Sequence, residues 1–190
     1  MSDRLHVITG PPGAGKSTLV DALAATGVAT SAEVGRQIIR EQVAAGGNAL
    51  PWGDEVAFAE LMWPREVAAH RAAVATGGRV VLDRGVPDVV AFLRASRLPV
   101  PAAIDAAARA CRYNRLVFLA PYWPAIFVRD AERPRTAAYA QATHDVMIAT
   151  YRDYGYSLVE LPLASVAERV RFVLETVSYT HLTLPTILRV

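Results

Sequence analysis

The residues best suited to chemistry lie near the amino terminus, in a glycine-rich turn that ends in a lysine and a hydroxyl residue. The turn follows a short apolar run, precedes a helical pattern and matches the pattern GxxxxGKS/T, in the context that this pattern requires. Its residues are Gly10, Pro11, Pro12, Gly13, Ala14, Gly15, Lys16 and Ser17, with Thr18 next. Backbone N–H groups of such a turn converge on phosphates, and a helix N-terminus adds partial positive charge. The turn therefore predicts a nucleotide phosphate site.

Individual side chains of the turn have distinct expected roles. Lys16 should reach the β- and γ-phosphates and Ser17 should ligate Mg²⁺, with Thr18 as a hydrogen-bonding neighbour. Guanine recognition would need an Asn-Lys-x-Asp segment after the fourth predicted strand, where the chain reads PYWPAIF instead. We therefore expect ATP with Mg²⁺.

Acidic residues at the ends of two predicted strands are candidates for metal binding and proton transfer. Asp83 ends the third strand, where it could hold Mg²⁺ in the Walker B manner or cap the next helix. Glu33 follows the second strand and could act as the base toward an acceptor, with Arg36 one turn later, or could only complement its helix dipole. Arg84 could bind a phosphate or an anionic acceptor, or could pair with a surface carboxylate.

An arginine-rich segment after the fourth predicted strand is the candidate for a closing lid. Residues 129–135 read RDAERPR, and Arg129 and Arg133 should neutralise charge that develops during transfer. A solvated loop is the alternative. Trp52 and Trp63 could stack on a planar ligand, and packing in the core is the other interpretation.

Composition limits the classes of protein to which these motifs can belong. The 190 residues are 53% hydrophobic, which suits one α/β domain, and a net charge of +2 with both signs dispersed indicates no nucleic-acid partner. Cys111 is the only cysteine, so no internal disulfide can form, and His70 and His144 have no second ligand at metal spacing. The start of the chain does not resemble a signal peptide, and no run approaches about 18 apolar residues, so we expect a cytoplasmic protein outside the membrane.

Short apolar runs alternate with longer helical patterns, which is typical of βαβ units and a mostly parallel sheet. The predicted strands, of which the first, third and fourth should be fully buried, are Arg4–Thr9, Val28–Ser31, Arg79–Asp83, Arg115–Ala120 and Ser157–Leu161. The predicted helices are Lys16–Ala25, Val34–Ala45, Asp54–Thr76, one opened by Pro87, Pro101–Arg112, Thr136–Tyr154 and Ser165–Glu175. Pro64 should kink the third helix or split it in two.

The last residues differ from the rest of the chain. Residues 1–176 should form one P-loop ATP-binding domain, whereas from Val177 the chain reads VSYTHLTLPT and ends ILRV, without helical period. We interpret residues 177–190 as the translation of a sequencing adapter, with a genuine terminal strand as the alternative. Under the first interpretation the native chain continues differently past about Thr176.

The motifs together resemble one family across nearly all of Leu5–Glu175. They read ITGPPGAGKST, SAEVGRQIIREQ, WGDEVAFAELM, VVLDRGVPDVVAFL and VRDAERPR. They are similar to small predicted ATPases labelled AAA, which are P-loop NTPases related to nicotinamide riboside kinase-like and nucleoside/nucleotide kinase-like proteins. The resemblance implies a three-layer α/β fold with a five-stranded parallel sheet in the order 2-3-1-4-5, an acceptor-side role for Glu33 and a magnesium role for Asp83. Since the chain lacks a separate helical lid domain and a clear sensor pattern, we expect no hexameric motor.

The expected function is transfer of the ATP γ-phosphate to a small-molecule acceptor, either nucleoside-like or another hydroxyl compound. The expected catalytic residues are Lys16, Glu33, Asp83, Arg129 and Arg133, and the expected substrate-binding residues are Glu33, Arg36 and Arg84. The alternative is a regulatory ATPase or nucleotide-dependent switch without a small-molecule acceptor.

Overall fold

Five strands alternate with seven helices along the part of the chain that the computed structural model describes, residues 3–126 and 137–179. The strands are β1 (Leu5–Thr9), β2 (Ala29–Ser31), β3 (Val80–Asp83), β4 (Leu116–Leu119) and β5 (Ser157–Glu160). The helices are α1 (Lys16–Ala25), α2 (Val34–Ala45), α3 (Glu55–Ala75), α4 (Val86–Ala95), α5 (Ala102–Ala110), α6 (Ala137–Asp153) and α7 (Val166–Tyr179), with a short 3₁₀ turn at Pro124–Ile126. The strand bounds agree with the predicted ones to within one residue, which is ordinary variation at element ends.

The strands form one parallel sheet in the order β2-β3-β1-β4-β5, which confirms the predicted fold class. In the register of the sheet, Ile8 pairs with Asp83 on one side and with Phe118 on the other. The carboxyl ends of β1, β3 and β4 therefore lie at one edge of the sheet, and ligands bind at this edge in open α/β sheets.

The position of each strand in the sheet explains its burial. The three central strands, β3, β1 and β4, are buried along nearly their whole length, as predicted. The outer strands β2 and β5 are partly exposed because each has a neighbour on only one side. Continuous apolar runs in the central strands follow from cover on both faces.

The core has two parts, one on each face of the sheet, because successive side chains of a strand point to opposite faces. In β1, Leu5 and Val7 belong to the larger cluster, which α2 to α6 cover, and Ile8 belongs to the smaller one. The smaller cluster is formed with α1 and α7, whose buried residues include Leu19 and Val173. The result is a three-layer α/β arrangement.

Helix α3 runs unbroken from Glu55 to Ala75 with Pro64 inside it, so the predicted split into two helices is wrong. Proline removes one backbone hydrogen bond, but apolar residues on both sides of it hold the two halves against the same core. Phe58 and Met62 precede Pro64 on the buried face, and Ala73 follows it. Tertiary packing therefore outweighs the local preference of proline.

Helix α7 extends to Tyr179, whereas the predicted helix ends at Glu175. Val177 is buried in the smaller core cluster. The first three residues of the segment interpreted as adapter-derived are thus helical, and residues 180–190 lie outside the described part of the chain. The origin of that segment stays a prediction.

Candidate active site

The glycine-rich turn joins the carboxyl end of β1 to α1 and is packed closely against other elements. Gly10 has a φ of 140°, and a Cβ there would meet the backbone oxygen of Ala120 and lie 2.9 Å from its Cβ. Gly15 has a φ of 73°, and a Cβ there would lie 3.0 Å from Nη1 of Arg169. Glycine is the residue that tolerates both the backbone conformation and the close approach. The ends of β4 and α7 therefore help to shape the turn.

Lys16 lies at the start of α1 and is buried, with only 5% of its surface exposed. Its Nζ donates a 2.7 Å hydrogen bond to the carbonyl of Pro11, so the ammonium lies over the turn. No side chain caps the N-terminus of α1, and Ser17 follows in a half-buried position. Helix-end amides with a nearby ammonium are an arrangement that binds phosphates.

Asp83 ends β3 beside the turn and has a buried carboxyl oxygen, Oδ1, with no hydrogen-bond partner among the described residues. The pKa of Asp83 is raised to about 6, mainly by burial and then by the negative charge of Glu33, against the opposing effect of Lys16 and Arg84. The N-cap of the next helix is Gly85, so Asp83 does not cap α4. An open carboxylate oxygen near a lysine is suited to a cation such as Mg²⁺.

A buried arginine joins two carboxylates next to Asp83, and we call Arg84, Glu33 and Asp88 the Arg84 cluster. Arg84 donates from Nε to Glu33 Oε1 at 3.0 Å and from Nη1 to Asp88 Oδ1 at 2.9 Å. Burial lowers the pKa of Arg84, but the three neighbouring carboxylates raise it more, so it lies above its ordinary value. Arg84 thus pairs with buried carboxylates, rather than with a surface one.

The backbone of Arg84 is held in an uncommon conformation. Its φ is 80°, a left-handed value that is unusual for a residue with a side chain. Such strain persists only where surrounding contacts enforce it, and it is concentrated at functional sites. The two ion pairs of the Arg84 cluster provide that enforcement.

Asp88 anchors the cluster and was missed by the sequence analysis. Its Oδ1 also accepts a 2.7 Å hydrogen bond from Thr9, and its Oδ2 accepts from the Gly85 amide at 3.0 Å and from the Tyr151 hydroxyl. With these donors and Arg84, the carboxylate is fully occupied by protein groups. Asp88 therefore positions the cluster through Arg84.

Glu33 and Arg36 lie near each other, as their spacing predicts. Glu33 is the N-cap of α2, is 7% exposed and makes no side-chain capping hydrogen bond. Arg36 Nε lies 3.5 Å from Glu33 Oε2, and the Arg36 side chain is 26% exposed. Glu33 therefore does more than serve its own helix, because Arg84 and Arg36 approach its two oxygens.

A pocket of about 610 Å³, partly open to solvent, adjoins the glycine-rich turn at Pro12 and is called here the α3 pocket. Its apolar wall is Ile39, Phe58, Met62, Val89, Phe92 and Met147. Its polar residues are Glu33, Glu66, Arg84, Asp88 and Thr143. A mostly apolar cavity with a few convergent polar groups is typical of small-molecule sites. The pocket places Glu33 and Arg84 in one cavity that borders the turn, whereas Lys16, Arg36 and Asp83 are not part of its wall.

Glu66 and Thr143 were also missed, although the sequence contained a signal for Glu66. Glu66 lies on the face of α3 that carries Ala59, Met62 and Ala73, so a helical-wheel reading places a glutamate on a buried face. No comparable signal marks Thr143, because hydroxyl residues are common at any helix position. Only the packing of α6 brings Thr143 to the α3 pocket.

Arg169 contacts the glycine-rich turn from α7 and is a further unpredicted neighbour. Its Nη1 donates to the carbonyl of Ala14 at 3.2 Å, it is 3% exposed, and its buried Nε has no hydrogen-bond partner. Burial lowers the pKa of Arg169. Its spacing with Val173 and Val177 places it on the buried stripe of α7, which was the available signal.

The remaining sequence candidates fall in three places. Arg129 and Arg133 lie outside the described residues. Trp52 is 43% exposed, and Trp63 is half-buried against the larger core cluster; neither belongs to the wall of the α3 pocket.

The histidines do not form a metal centre with other residues in the described part of the chain. His70 Nε2 lies 3.0 Å from the carbonyl of Arg112, and its ring packs edge-on against Tyr113. His144 Nδ1 lies 3.5 Å from Asp145. Across residues 3–126 and 137–179, no three His, Cys, Asp or Glu side chains are grouped so as to hold a metal ion.

The turn, the sheet order and the strand-end carboxylates together define a P-loop fold of the kinase type. A family model described as AAA domain matches residues 5–169, so the chain belongs to that family. A comparison with curated proteins gives no match. The family resemblance expected from the motifs is therefore confirmed.

Solved structures share this fold at low sequence identity. Deoxyadenosine kinase from M. mycoides is 13% identical with a TM-score of 0.65, over 93% of this chain and 99% of that one. NadR in complex with NR is 17% identical with a TM-score of 0.69, over 98% of this chain and 54% of that one. Thymidylate kinase from Candida albicans is 14% identical with a TM-score of 0.65, over 94% and 92%. These similarities establish the fold.

Helices long and apolar enough to span a bilayer are not found among residues 3–126 and 137–179.

Proposed function

We propose that this protein binds ATP with Mg²⁺ at the glycine-rich turn and transfers the γ-phosphate to a hydroxyl group of a small molecule in the α3 pocket. The observation that carries the proposal is the position of Glu33. Glu33 lines a cavity that borders the phosphate-binding turn at Pro12, and Arg84 donates a 3.0 Å hydrogen bond to its carboxylate. A base in a cavity that adjoins a phosphate site is what phosphoryl transfer to an alcohol requires.

The nucleotide side of the proposal assigns the turn and its two flanking residues. Lys16 and the backbone N–H groups of residues 10–18, except the two prolines, would hold the triphosphate, with Lys16 leaving the carbonyl of Pro11 for a phosphate oxygen. Ser17 and Asp83 would hold Mg²⁺, and the open Oδ1 of Asp83 fits this role. The ion would neutralise phosphate charge, and because it keeps several water and phosphate ligands it needs few protein ones.

The acceptor side of the proposal assigns proton transfer to Glu33. Glu33 takes the proton of the acceptor hydroxyl as its oxygen bonds to the γ-phosphorus, while the bond from that phosphorus to the bridging oxygen breaks and ADP leaves. Arg84 keeps the Glu33 carboxylate in place, and Asp88 keeps Arg84 in place. Correct positioning of the reacting groups can lower the barrier by roughly 7–11 kcal/mol.

Two further considerations support a kinase over the alternative of an acceptor-independent ATPase. The neighbours of known fold are named as deoxyadenosine kinase and thymidylate kinase, or as NadR with NR bound. The α3 pocket also has no evident use in a protein that only hydrolyses ATP. Arg129 and Arg133, predicted to form a lid, would add positive charge around the transferred phosphate.

The test incubates the protein with ATP·Mg²⁺ and pooled nucleosides, sugars and antibiotics, and follows phosphate transfer by mass spectrometry. We expect one compound to gain a phosphate group. Lys16→Ala should abolish turnover, and Glu33→Gln should slow transfer roughly 10²–10⁴-fold while ATP binding persists. Glu41→Gln, at the exposed pair with Arg65, serves as the matched control and should leave transfer unchanged.

Hydrolysis of ATP with no phosphorylated product, unchanged in Glu33→Gln, would favour the regulatory ATPase and contradict the kinase. Folding of each variant is checked by circular dichroism, because Glu33→Gln removes one buried partner of Arg84.

A further inference from the structure

The polar groups of the α3 pocket divide into those that protein contacts already satisfy and those that they do not. Asp88 accepts hydrogen bonds from Thr9, Arg84, Gly85 and Tyr151. Arg84 donates to both Glu33 and Asp88. The cation in the described wall of the pocket is therefore committed to two carboxylates, and its charge is already balanced.

Glu66 and Thr143 are the groups that protein contacts leave open. Glu66 is 3% exposed, and none of the hydrogen bonds among the described residues includes its carboxyl group. Thr143 is 4% exposed, and its buried Oγ1 has no hydrogen-bond partner within the described part of the chain. Burying a polar group without a hydrogen bond is unfavourable, and both residues line the same cavity. A ligand that supplies the missing partners would relieve that cost.

The surroundings of Glu66 indicate which partner it can accept. Burial raises the pKa of Glu66 well above its usual value, and the nearby Asp88, Asp83 and Glu33 raise it further against the effect of Arg84. The protonated form that this favours carries one O–H donor beside one carbonyl acceptor. Such a group pairs with a ligand edge that has an acceptor beside a donor, as the edge of a nucleobase does.

The apolar wall fits the flat face of such a ligand. Phe58 and Phe92 line the pocket with their rings 5.3 Å apart and inclined at 73°, and Met62 and Met147 complete the surface. Aromatic rings and methionine side chains are effective contacts for a planar heterocycle.

The charge of the pocket argues against a phosphorylated acceptor. A phosphate monoester would bring negative charge next to the carboxylates of Glu33 and Asp88, where Arg84 is already paired. Like charges at short distance in a partly buried site are unfavourable. We infer that the acceptor is an unphosphorylated nucleoside, whose base is held by hydrogen bonds to Glu66 and Thr143. The role of the nucleoside as phosphate acceptor rests on the proposed function, whereas nucleoside binding in the α3 pocket does not depend on it.

The test measures binding, so that it is independent of turnover. Adenosine, cytidine, inosine, uridine and their 5′-monophosphates are titrated separately into the protein by isothermal calorimetry. We expect at least one nucleoside to bind, and its 5′-monophosphate to bind at least about tenfold more weakly. Equal or tighter binding of the monophosphate would overturn the inference.

Two substitutions of Glu66 separate ligand recognition from a structural role. Glu66→Gln keeps a donor beside an acceptor and should retain nucleoside affinity, whereas Glu66→Leu should lose about tenfold or more. Thr143→Val should also weaken binding. ATP affinity should be unchanged in all three, and Glu66→Leu should unfold no earlier than the parent protein because it removes an unpartnered buried carboxyl group.

The control pair is Glu60→Gln and Glu60→Leu, on an exposed position of the same helix, and neither should alter nucleoside binding. Undiminished affinity in Glu66→Leu, or equal losses in the Gln and Leu variants, would contradict the inferred role of Glu66. Phosphate transfer to a sugar with no nucleoside binding would overturn this inference while the kinase proposal stands. Nucleoside binding without phosphate transfer would contradict the kinase proposal and leave the inferred nucleoside-binding site in place.

Discussion

One buried carboxyl oxygen of Asp83, Oδ1, accepts no hydrogen bond from the described residues. The sequence placed it correctly at the end of a strand, but could not show that the free protein leaves this group unsatisfied. An ionised carboxyl group in that position destabilises the folded state as long as no cation is bound to it. The residue thus connects nucleotide binding to stability in a way that can be measured without any substrate.

We expect Asp83→Asn to stabilise the nucleotide-free protein in a pH-dependent manner. The pKa of Asp83 is about 6 in the folded protein against an ordinary 3.8, so the unfolded chain releases this proton first. The parent protein should therefore match the variant below about pH 4. As the pH rises through 6, the free energy of unfolding of the parent protein should drop below that of the variant, by up to about 3 kcal/mol. Urea denaturation of both proteins from pH 4 to 8 measures the difference.

Asp105→Asn is a control of opposite sign. Hydrogen bonds from Arg109 and Tyr154 lower the pKa of Asp105, so that carboxylate supports the fold once the pH exceeds its unfolded pKa. Its replacement should therefore become less favourable as the pH rises. A parent protein as stable as Asp83→Asn at pH 7 would show that burial of Asp83 carries no cost. Asp83→Asn should also bind ATP·Mg²⁺ more weakly than the parent protein if Asp83 holds the ion.

At the scale of elements, the phosphate-binding turn depends on how closely β4 approaches it. The pattern of glycines predicted the turn, but not that Gly10 packs on Ala120, more than a hundred residues later. This contact joins the turn to the central strands of the sheet. The shape of the phosphate site is therefore a property of β1 and β4 together.

Gly10→Ala should be strongly destabilising, by about 2–5 kcal/mol, because the new methyl group overlaps the backbone of Ala120 and the φ of 140° is strained. Nucleotide affinity should fall with it, since the turn must move. Gly78→Ala is the matched control: nothing lies within 4 Å of its added Cβ, and its stability should change by no more than about 0.5 kcal/mol. Thermal and urea unfolding measure both, and similar losses in the two variants would refute the packing argument.

Helix α3 shows that an element's role can differ from what its local sequence suggests. Pro64 predicted a kink or a split, and the helix is not split but carries both Phe58 and Glu66 to the α3 pocket. A broken helix would separate these two residues. Continuity of α3 is thus what allows one helix to supply an aromatic wall and a hydrogen-bonding group.

At the scale of the whole molecule, the two faces of the sheet have different tasks. The face covered by α1 and α7 supports the phosphate-binding turn, with Arg169 contacting Ala14. The other face, covered by α2 to α6, supplies the α3 pocket. Proposed donor and acceptor sites therefore meet at the carboxyl edge of the sheet, between β1 and β3.

The extent of the folded unit can be tested by truncation. Because Val177 is buried in the smaller core cluster, a chain of residues 1–176 should be less stable than one of residues 1–179, by about 1–3 kcal/mol. Urea denaturation compares the two chains, and Val177→Ala in the longer one isolates the side chain from the helix end. Identical midpoints for both chains would support the predicted boundary at Thr176 and show that the last turn of α7 adds nothing.

Features that arise from neighbouring residues could be predicted from the amino-acid pattern. Glycine spacing and the following lysine define the phosphate-binding turn, and alternating apolar runs define the strands, because backbone geometry and side-chain periodicity act within a few residues. Glu33 and Asp83 could be chosen for the same reason, since Asp83 ends a strand and Glu33 lies two residues after one. The sheet order came from the family resemblance, and the structure confirmed it.

The tertiary structure alone decided which distant side chains meet and which of them remain without partners. Glu33, Arg84 and Asp88 come from two helices and a strand end, while Glu66 and Thr143 approach from α3 and α6. A charged or hydroxyl residue has no fixed role in a sequence, because its burial and its hydrogen bonds depend on elements that pack against it from elsewhere in the chain. The phosphate site was therefore readable from local pattern, and the acceptor pocket only from packing.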